Sequence, residues 1–252
     1  MRLDLFLSAN GKFSSRTKAA EAIGKGLVLV DGKKAKASAE VDENSRIEIA
    51  KAKRFVSNGG YKLDKAFTDF SYDPQGKIFA DIGASTGGFT DCLLQRGAAK
   101  VYAVDVGENL LDERLKCDRV VVMDHTNARF LTKDSFADIL DGAVVDCSFI
   151  SLRLILDSVK NFLEDGKEIF ALIKPQFELE ERKRFKNGII KEVATRKNVV
   201  EKIYRYCIDN GFAVRDFTFA PIVEGKNIEY VIRLIKGEKD TKTLENILSK
   251  CI

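Results

Sequence analysis

The chain has 252 residues, 45% hydrophobic and 32% charged, which suits one soluble domain of about 150 to 200 residues beside a smaller one. No stretch approaches the roughly 18 uninterrupted apolar residues of a membrane span, and Asp4 interrupts what would be the apolar part of an export signal. Five dispersed cysteines without a Cys-x-x-Cys pair argue against a disulfide framework or zinc knuckle, and the single histidine, His125, excludes a His-Glu-x-x-His metal site.

A cytoplasmic protein is therefore expected, with chemistry carried by lysines and carboxylates. The net charge is only +4, yet residues 1–60 hold 12 basic and 7 acidic side chains, so the positive charge is an N-terminal property. Leu3, Leu5 and Leu7 open a short apolar segment that Gly11 interrupts, and Ser14-Ser15 can cap a helix from Arg16 to Ile23, with Gly24 and Gly26 as stop signals. Leu27–Val30, the pair Asp31-Gly32 and the run Lys33–Lys36 predict a strand, a type I′ turn and a basic return strand, and Arg46–Ile49 predicts another strand. The ordered elements Arg2-Leu3-Asp4, Ser15-Arg16 and Gly26–Gly32 resemble the small RNA-binding domain named after a small-subunit ribosomal protein, the S-four type. Within it, Arg2, Lys12, Arg16, Lys18, Lys33, Lys34 and Lys36 form a candidate phosphate-binding face whose affinity falls as salt rises.

A polar joint, Ala50–Arg54, leads into the second unit. Domain ranges of 1–50, a linker at 51–58 and 59–252 are expected. Leu63, Ala66, Phe67 and Phe70 recur at helical spacing, predicting an amphipathic helix that starts near Gly59-Gly60. Apolar strands then alternate with helical stretches: Ile78–Ile82, Val101–Asp105, Val120–Asp124, Ala143–Asp146, Ile169–Ile173, Asp216–Ala220 and Ile228–Ile235. Such alternation predicts an α/β, Rossmann-like, mainly parallel sheet with helices on both faces, preceded by the small α+β domain.

The first of these strands runs into Gly83-Ala84-Ser85-Thr86-Gly87-Gly88-Phe89, a glycine-rich loop at the start of a helix, where backbone can approach a ligand closely. Asp105 follows 22 residues after Gly83, in position for ribose hydroxyls. The loop departs from Gly-x-Gly-x-x-Gly and fits the looser pattern of S-adenosylmethionine enzymes better, since these need no pyrophosphate cradle. Asp81, Asp105, Asp124 and Asp146 all fall at or near strand ends, which line one crevice in a parallel sheet; Asp81 also suits capping of the following helix. Lys174 ends an apolar strand and is costly there unless paired or functional. Asp146 would stand beside it, and Glu229 reaches the same crevice if the last strand runs antiparallel.

The runs Val56–Leu63, Asp81–Asp91, Val104–Gly107, Asp146–Leu152, Lys174–Glu178 and Gly225–Glu229, in this order, resemble the TlyA (hemolysin A) family of rRNA ribose methyltransferases with its FtsJ-like catalytic domain. The resemblance covers nearly the whole chain. It implies a catalytic set Lys62, Asp146, Lys174 and Glu229, and S-adenosylmethionine held by Gly83–Phe89 beside Asp81 and Asp146, with Asp105 on the ribose and Asp124 at the adenine end. It also implies a ribosomal RNA partner, the ribose 2′-hydroxyl of a cytidine as acceptor, the large ribosomal subunit as target, and no need of a membrane or metal. The sequence departs from the family pattern at Glu108–Leu111 and at Asp124-His125.

The residue types suit that reaction independently. A ribose hydroxyl is a poor nucleophile, so a group must take its proton while the methyl moves in line from a sulfonium. A lysine titrates near about 10.4 when free, and burial beside a second cation lowers that value; this suits Lys174 as base, Lys62 orienting the hydroxyl, and Asp146 and Glu229 aiming the lysines. The chain has neither the adjacent prolines of a base-amino methyltransferase clamp nor a cysteine after proline, as carbon-5 cytosine enzymes use. The competing readings are a nicotinamide oxidoreductase, a cytolysin, for which no basic amphipathic helix is evident, and a non-catalytic ribosome-binding factor.

Overall fold

The computed structural model describes residues 1–50, 53–179, 185, 188–239 and 241–252; Lys51 and Ala52 of the expected joint lie outside the described residues. The backbone divides into two compact units, Met1–Arg54 and Phe55–Ile252.

In the first unit, α1 (Leu3–Ala9) and α2 (Arg16–Gly24) pack on a three-stranded antiparallel sheet of β1 (Val28–Val30), β2 (Lys33–Lys34) and β3 (Ile47–Ile49), in the order β2-β1-β3. Ser15 caps α2 by accepting from Lys18 N at 3.2 Å, as its position before the apolar repeat predicts. Asp31 and Gly32 both have positive φ, 50° and 76°, as a type I′ turn requires. Leu3, Leu7, Ala19, Ile23, Val28 and Val41 form the core.

The second unit opens with α3 (Asn58–Asp69), and its predicted apolar face of Leu63, Ala66, Phe67 and Phe70 is buried. Then follow β4 (Ile78–Ile82), α4 (Gly88–Gln95), β5 (Lys100–Val104), β6 (Val120–Met123), β7 (Gly142–Val145), α5 (Leu152–Phe162), β8 (Glu168–Ile173), α6 (Pro175–Glu178), α7 (Val193–Asp209), β9 (Phe212–Phe219), β10 (Tyr230–Lys236) and α8 (Leu244–Leu248). The seven strands are ordered β6-β5-β4-β7-β8-β10-β9, with β10 antiparallel to both its neighbours and the β6-to-β8 portion parallel.

Successive strand residues serve opposite faces, as the period of two demands. Ala80, Ile82, Ala143 and Val145 join the cluster containing residues of α5, α7 and α8, whereas Phe79, Val101, Val144 and Phe170 join the one containing residues of α3 and α4. Chain order reverses between β4 and β7, so a crevice opens beyond their carboxyl ends, where such sheets place ligands. Among the described residues no helix is long and apolar enough to cross a membrane.

Strand boundaries differ from the sequence reading where it matters for the site. β5, β6 and β7 end at Val104, Met123 and Val145, so Asp105, Asp124 and Asp146 each stand one residue beyond a strand. Asp81 instead lies within β4. β9 begins four residues before the expected Asp216, because Phe212, Ala213 and Val214 pair with Lys236, Ile235 and Leu234 of β10. β10 starts at Tyr230, leaving Glu229 just outside it.

Candidate active site

The β4 exit builds the first wall. Gly87 takes φ +88° at the N-cap of α4, a region that glycine enters without strain. A side chain at Gly88 would strike Ser57 Oγ and the backbone of Gly59 and Gly60, so its absence lets the starts of α3 and α4 meet. Ser57 caps α3 by accepting from Gly59 N at 3.3 Å, and Val56 N donates to Asp91 Oδ2 at 2.8 Å. These contacts fix α3, and hence Lys62, against the glycine loop.

Two pockets meet there. One, of about 400 Å³, runs along Gly83, Ser85, Asp105, Val106, Leu110, Thr126, Asn127 and Cys147 to Phe149 and Ile150. The other, of about 370 Å³, is lined by Ser57, Asn58, Gly59, the Ala84–Thr86 turn, Gly88, Phe89 and Lys174. Gly83, Ser85, Asp146 and Ser148 belong to both. Asp105 is clamped by Ser85 N on Oδ2 at 2.8 Å and Gly107 N on Oδ1 at 2.9 Å. Each carboxylate oxygen keeps acceptor capacity toward the pocket.

Lys62, Asp146, Lys174 and Glu229 come together from four elements. Lys62 Nζ donates to Glu229 Oε2 at 2.6 Å and lies 4.0 Å from Asp146 Oδ2; Lys174 Nζ lies 2.5 Å from Asp146 Oδ1. Lys174 Nζ also donates to Asp146 O at 3.3 Å and Ser148 Oγ at 2.9 Å, and Gln176 Nε2 donates to Glu229 Oε1 at 3.0 Å. The result is an unbroken polar array from Gln176 to Ser148. Asp146 and Lys174 line the second pocket, whereas Lys62 and Glu229 line neither.

Burial pushes the Lys62 ammonium down, but the carboxylates of Asp146 and Glu229 outweigh it and hold Lys62 above the ordinary lysine range. Lys62 therefore stays charged, suited to orientation rather than proton abstraction. Burial pushes the Cys147 thiol up to about 12, so the one cysteine on the wall has little thiolate character.

Three expected cofactor residues lie off the walls. Asp81 is fully buried, and its Oδ2 accepts from Thr90 N at 2.9 Å and Thr90 Oγ1 at 2.6 Å, so it caps α4 from inside the sheet. Gly87 faces Leu111 and Leu115. Asp124 Oδ2 accepts from Asn109 N at 3.0 Å, which pins the 106–111 loop; His125 then turns the chain through φ +52°, and Thr126 and Asn127 form the wall instead. Ser148, Gln176 and the rim residue Phe149, whose ring lies 4.9 Å from that of Phe177, were given no role by the sequence reading, although all three stand in the runs Asp146–Leu152 and Lys174–Glu178.

Burial raises the Asp81 carboxyl to about 7 from an ordinary 3.8, with Asp146 and Asp105 adding to the rise and Thr90 opposing it. A carboxyl raised on folding adds stability below its unfolded pKa, and that stability is lost as pH climbs to the folded value. Asp81→Asn keeps an acceptor for Thr90 without titrating. Its melting temperature relative to the parent protein is expected to improve steadily from about pH 4 to 7 and then level off; a difference independent of pH, by scanning calorimetry, would contradict a neutral buried acid.

In the first unit, Arg2, Lys12, Arg16, Lys18, Lys33, Lys34 and Lys36 are all exposed. Arg2 Nη2 and Arg16 Nε reach Asp4 Oδ2 at 3.0 and 2.9 Å, and the Arg2 hydrogen bonds lead in holding the Asp4 carboxyl below the usual range. Asp4 thus braces both guanidinium groups while leaving them open to solvent.

Comparison with known proteins agrees with this division. Residues 55–236 match the FtsJ-like methyltransferase model, and residues 1–47 match the S4 domain model. Hemolysin A of Brachyspira hyodysenteriae is 41% identical, over 93% of this chain and 100% of its own length. The 16S/23S rRNA (cytidine-2′-O)-methyltransferase TlyA of Mycobacterium tuberculosis is 37% identical, over 92% of this chain and 89% of its own. A solved structure of a protein from Streptococcus thermophilus named as a hemolysin superposes with a TM-score of 0.75 at 36% identity, covering 100% of this chain and 95% of that one. With a seven-stranded methyltransferase sheet that follows an S4 domain along the sequence and this similarity along nearly its full length, the chain belongs to the FtsJ-like methyltransferases of the hemolysin A/TlyA family.

Proposed function

We propose that the protein transfers a methyl group from S-adenosylmethionine to the ribose 2′-hydroxyl of a cytidine in ribosomal RNA, with the large subunit as its target, in the cytoplasm. The observation that carries this reading is the array Glu229–Lys62–Asp146–Lys174 reaching the junction of two pockets beside the glycine loop. The walls suit the cofactor. Asp105 offers acceptors for ribose hydroxyls, and the residues from Val106 to Leu110 with Thr126 and Asn127 flank a space for the base. At Gly83 even a methyl group would crowd Asp146 O and Cys147 Sγ at 3.1 Å, so the bare backbone forms the cradle.

When bound, S-adenosylmethionine supplies a methyl group already activated on a sulfonium. The chain's part is proton handling and alignment. Lys62, held charged by Asp146 and Glu229, orients the acceptor oxygen, and Asp146 spaces the two lysines. Lys174, at the pocket junction, is the group assigned to receive the hydroxyl proton. The four groups are strongly coupled, so protonation belongs to the set rather than to one side chain.

Residues 1–50 serve RNA binding and residues 59–252 chemistry in this reading, with Arg2, Lys12, Arg16, Lys18, Lys33, Lys34 and Lys36 on phosphates. Support comes from their shared exposure and from the name of the mycobacterial relative. Two measurements test the proposal together. Calorimetry is expected to detect S-adenosylmethionine and its demethylated product but not NAD, and labelled methyl groups are expected in an alkali-resistant dinucleotide of large-subunit rRNA. Tight NAD binding without sulfonium binding would return the glycine loop to an oxidoreductase reading.

A further inference from the structure

Two neutral side chains stand at the ends of the charged array. Ser148 is two residues after Asp146 yet contacts Lys174, and Gln176 is two residues after Lys174 yet contacts Glu229. We propose that both are positioning residues, Ser148 aiming Lys174 and Gln176 aiming Glu229; the inference rests on the methylation reading above.

For Ser148 the argument is geometric. Lys174 Nζ has three oxygens close to it: it donates to Asp146 O and Ser148 Oγ, and it ion-pairs with Asp146 Oδ1 at 2.5 Å. Two of them belong to one residue and leave the ammonium free to swing about it. Ser148 supplies the third point, which fixes the direction of Nζ. It also lines both pockets at their junction, so that direction is set where the transfer takes place.

For Gln176 the argument is one of satisfaction. Its Nε2 faces Glu229 Oε1, and among the described residues its buried Oε1 has no hydrogen-bond partner. The reversed amide would set oxygen against carboxylate oxygen, so the observed orientation is forced. An orphaned buried acceptor is costly, and what it secures is a Glu229 carboxylate held at both ends, Oε1 by Gln176 and Oε2 by Lys62. A core substitute without a donor would avoid the orphan but release Glu229.

The test compares full-length Ser148→Ala, Ser148→Thr and Gln176→Met proteins with the parent. It uses tritiated S-adenosylmethionine and ribosomal subunits from cells lacking the gene. Losing one hydrogen bond to a charged group is expected to slow single-turnover transfer about 10- to 100-fold in Ser148→Ala and Gln176→Met. Cofactor Kd and the half-saturating subunit concentration are expected to hold, and Ser148→Thr, which keeps the acceptor, to recover most of the rate. Parental rates in either variant, or a loss accounted for entirely by weaker binding, overturn the proposal. Failure of the parent protein itself to methylate subunits removes the methylation reading alone. Crystal structures of Ser148→Ala and Gln176→Met then decide: displaced Lys174 and Glu229 side chains uphold the positioning role, and unmoved ones overturn it.

Discussion

Lys174→Ala protein is expected to bind S-adenosylmethionine as the parent does and to transfer its methyl group about 10²- to 10⁴-fold more slowly in a single turnover, the range for a lost acid–base group. Lys174 is only 7% exposed, and Asp146 would be left with Lys62 at 4.0 Å as its remaining cation. The effect belongs to the transition state, so kcat falls and binding holds. Arginine should not restore the rate, because a planar guanidinium cannot occupy the point between Asp146 Oδ1 and Ser148 Oγ that the ammonium fills. Lys62→Met, Asp146→Asn and Glu229→Gln are each expected to be severe, and combined with Lys174→Ala to add little, since groups acting as a unit are not additive. Cofactor affinity serves as the check on folding, and a near-parental single-turnover rate in Lys174→Ala would remove it from the chemistry.

The sheet was legible because its strands are buried on both faces and read as apolar runs, and because Gly83–Gly88 breaks the first of them at the point where backbone must approach a ligand. The direction of the last strand was also recoverable: Glu229 reaches Lys62 only because β10 runs antiparallel to β8. Less was legible at the strand ends. Moving a residue by one position along a strand turns its side chain to the other face, and sequence alone gives boundaries no finer than that. Asp81 and Asp146 both read as strand-end acids, with helix capping expected for Asp81 alone; one is inside β4 and caps α4, while the other stands just past β7 and meets two lysines. Asp124 lies off the pocket walls for a different reason. The left-handed turn at His125, a non-glycine residue, carries no composition signal, and it hands the wall to Thr126 and Asn127. Ser148 and Gln176 escaped notice because their hydrogen-bond partners are long-range, Lys174 for Ser148 and Glu229 for Gln176.

The acceptor atom gives the sharpest expected result. A ribosomal RNA substrate carrying one 2′-deoxycytidine at the mapped target should bind with nearly unchanged affinity and receive no methyl group. Binding should persist because phosphate contacts dominate affinity, and those proposed for the N-terminal unit do not involve the target sugar. Transfer stops because the missing hydroxyl is the nucleophile, and no neighbouring chemistry can replace it. Attack at carbon 5 of the base needs a thiolate, whereas the thiol of Cys147 on the pocket wall is pushed up to about 12. Attack by an exocyclic amine needs no proton taken first, so a charged Lys62 beside Glu229 and Asp146 would have no task there. The salt dependence of the deoxy and ribose substrates should coincide, since both make the same phosphate contacts. Methyl transfer to the deoxy substrate, or label that stays with the free base after the sugar is removed, would move the reaction from the ribose to the base and leave the Lys62-Asp146-Lys174-Glu229 array in need of another explanation.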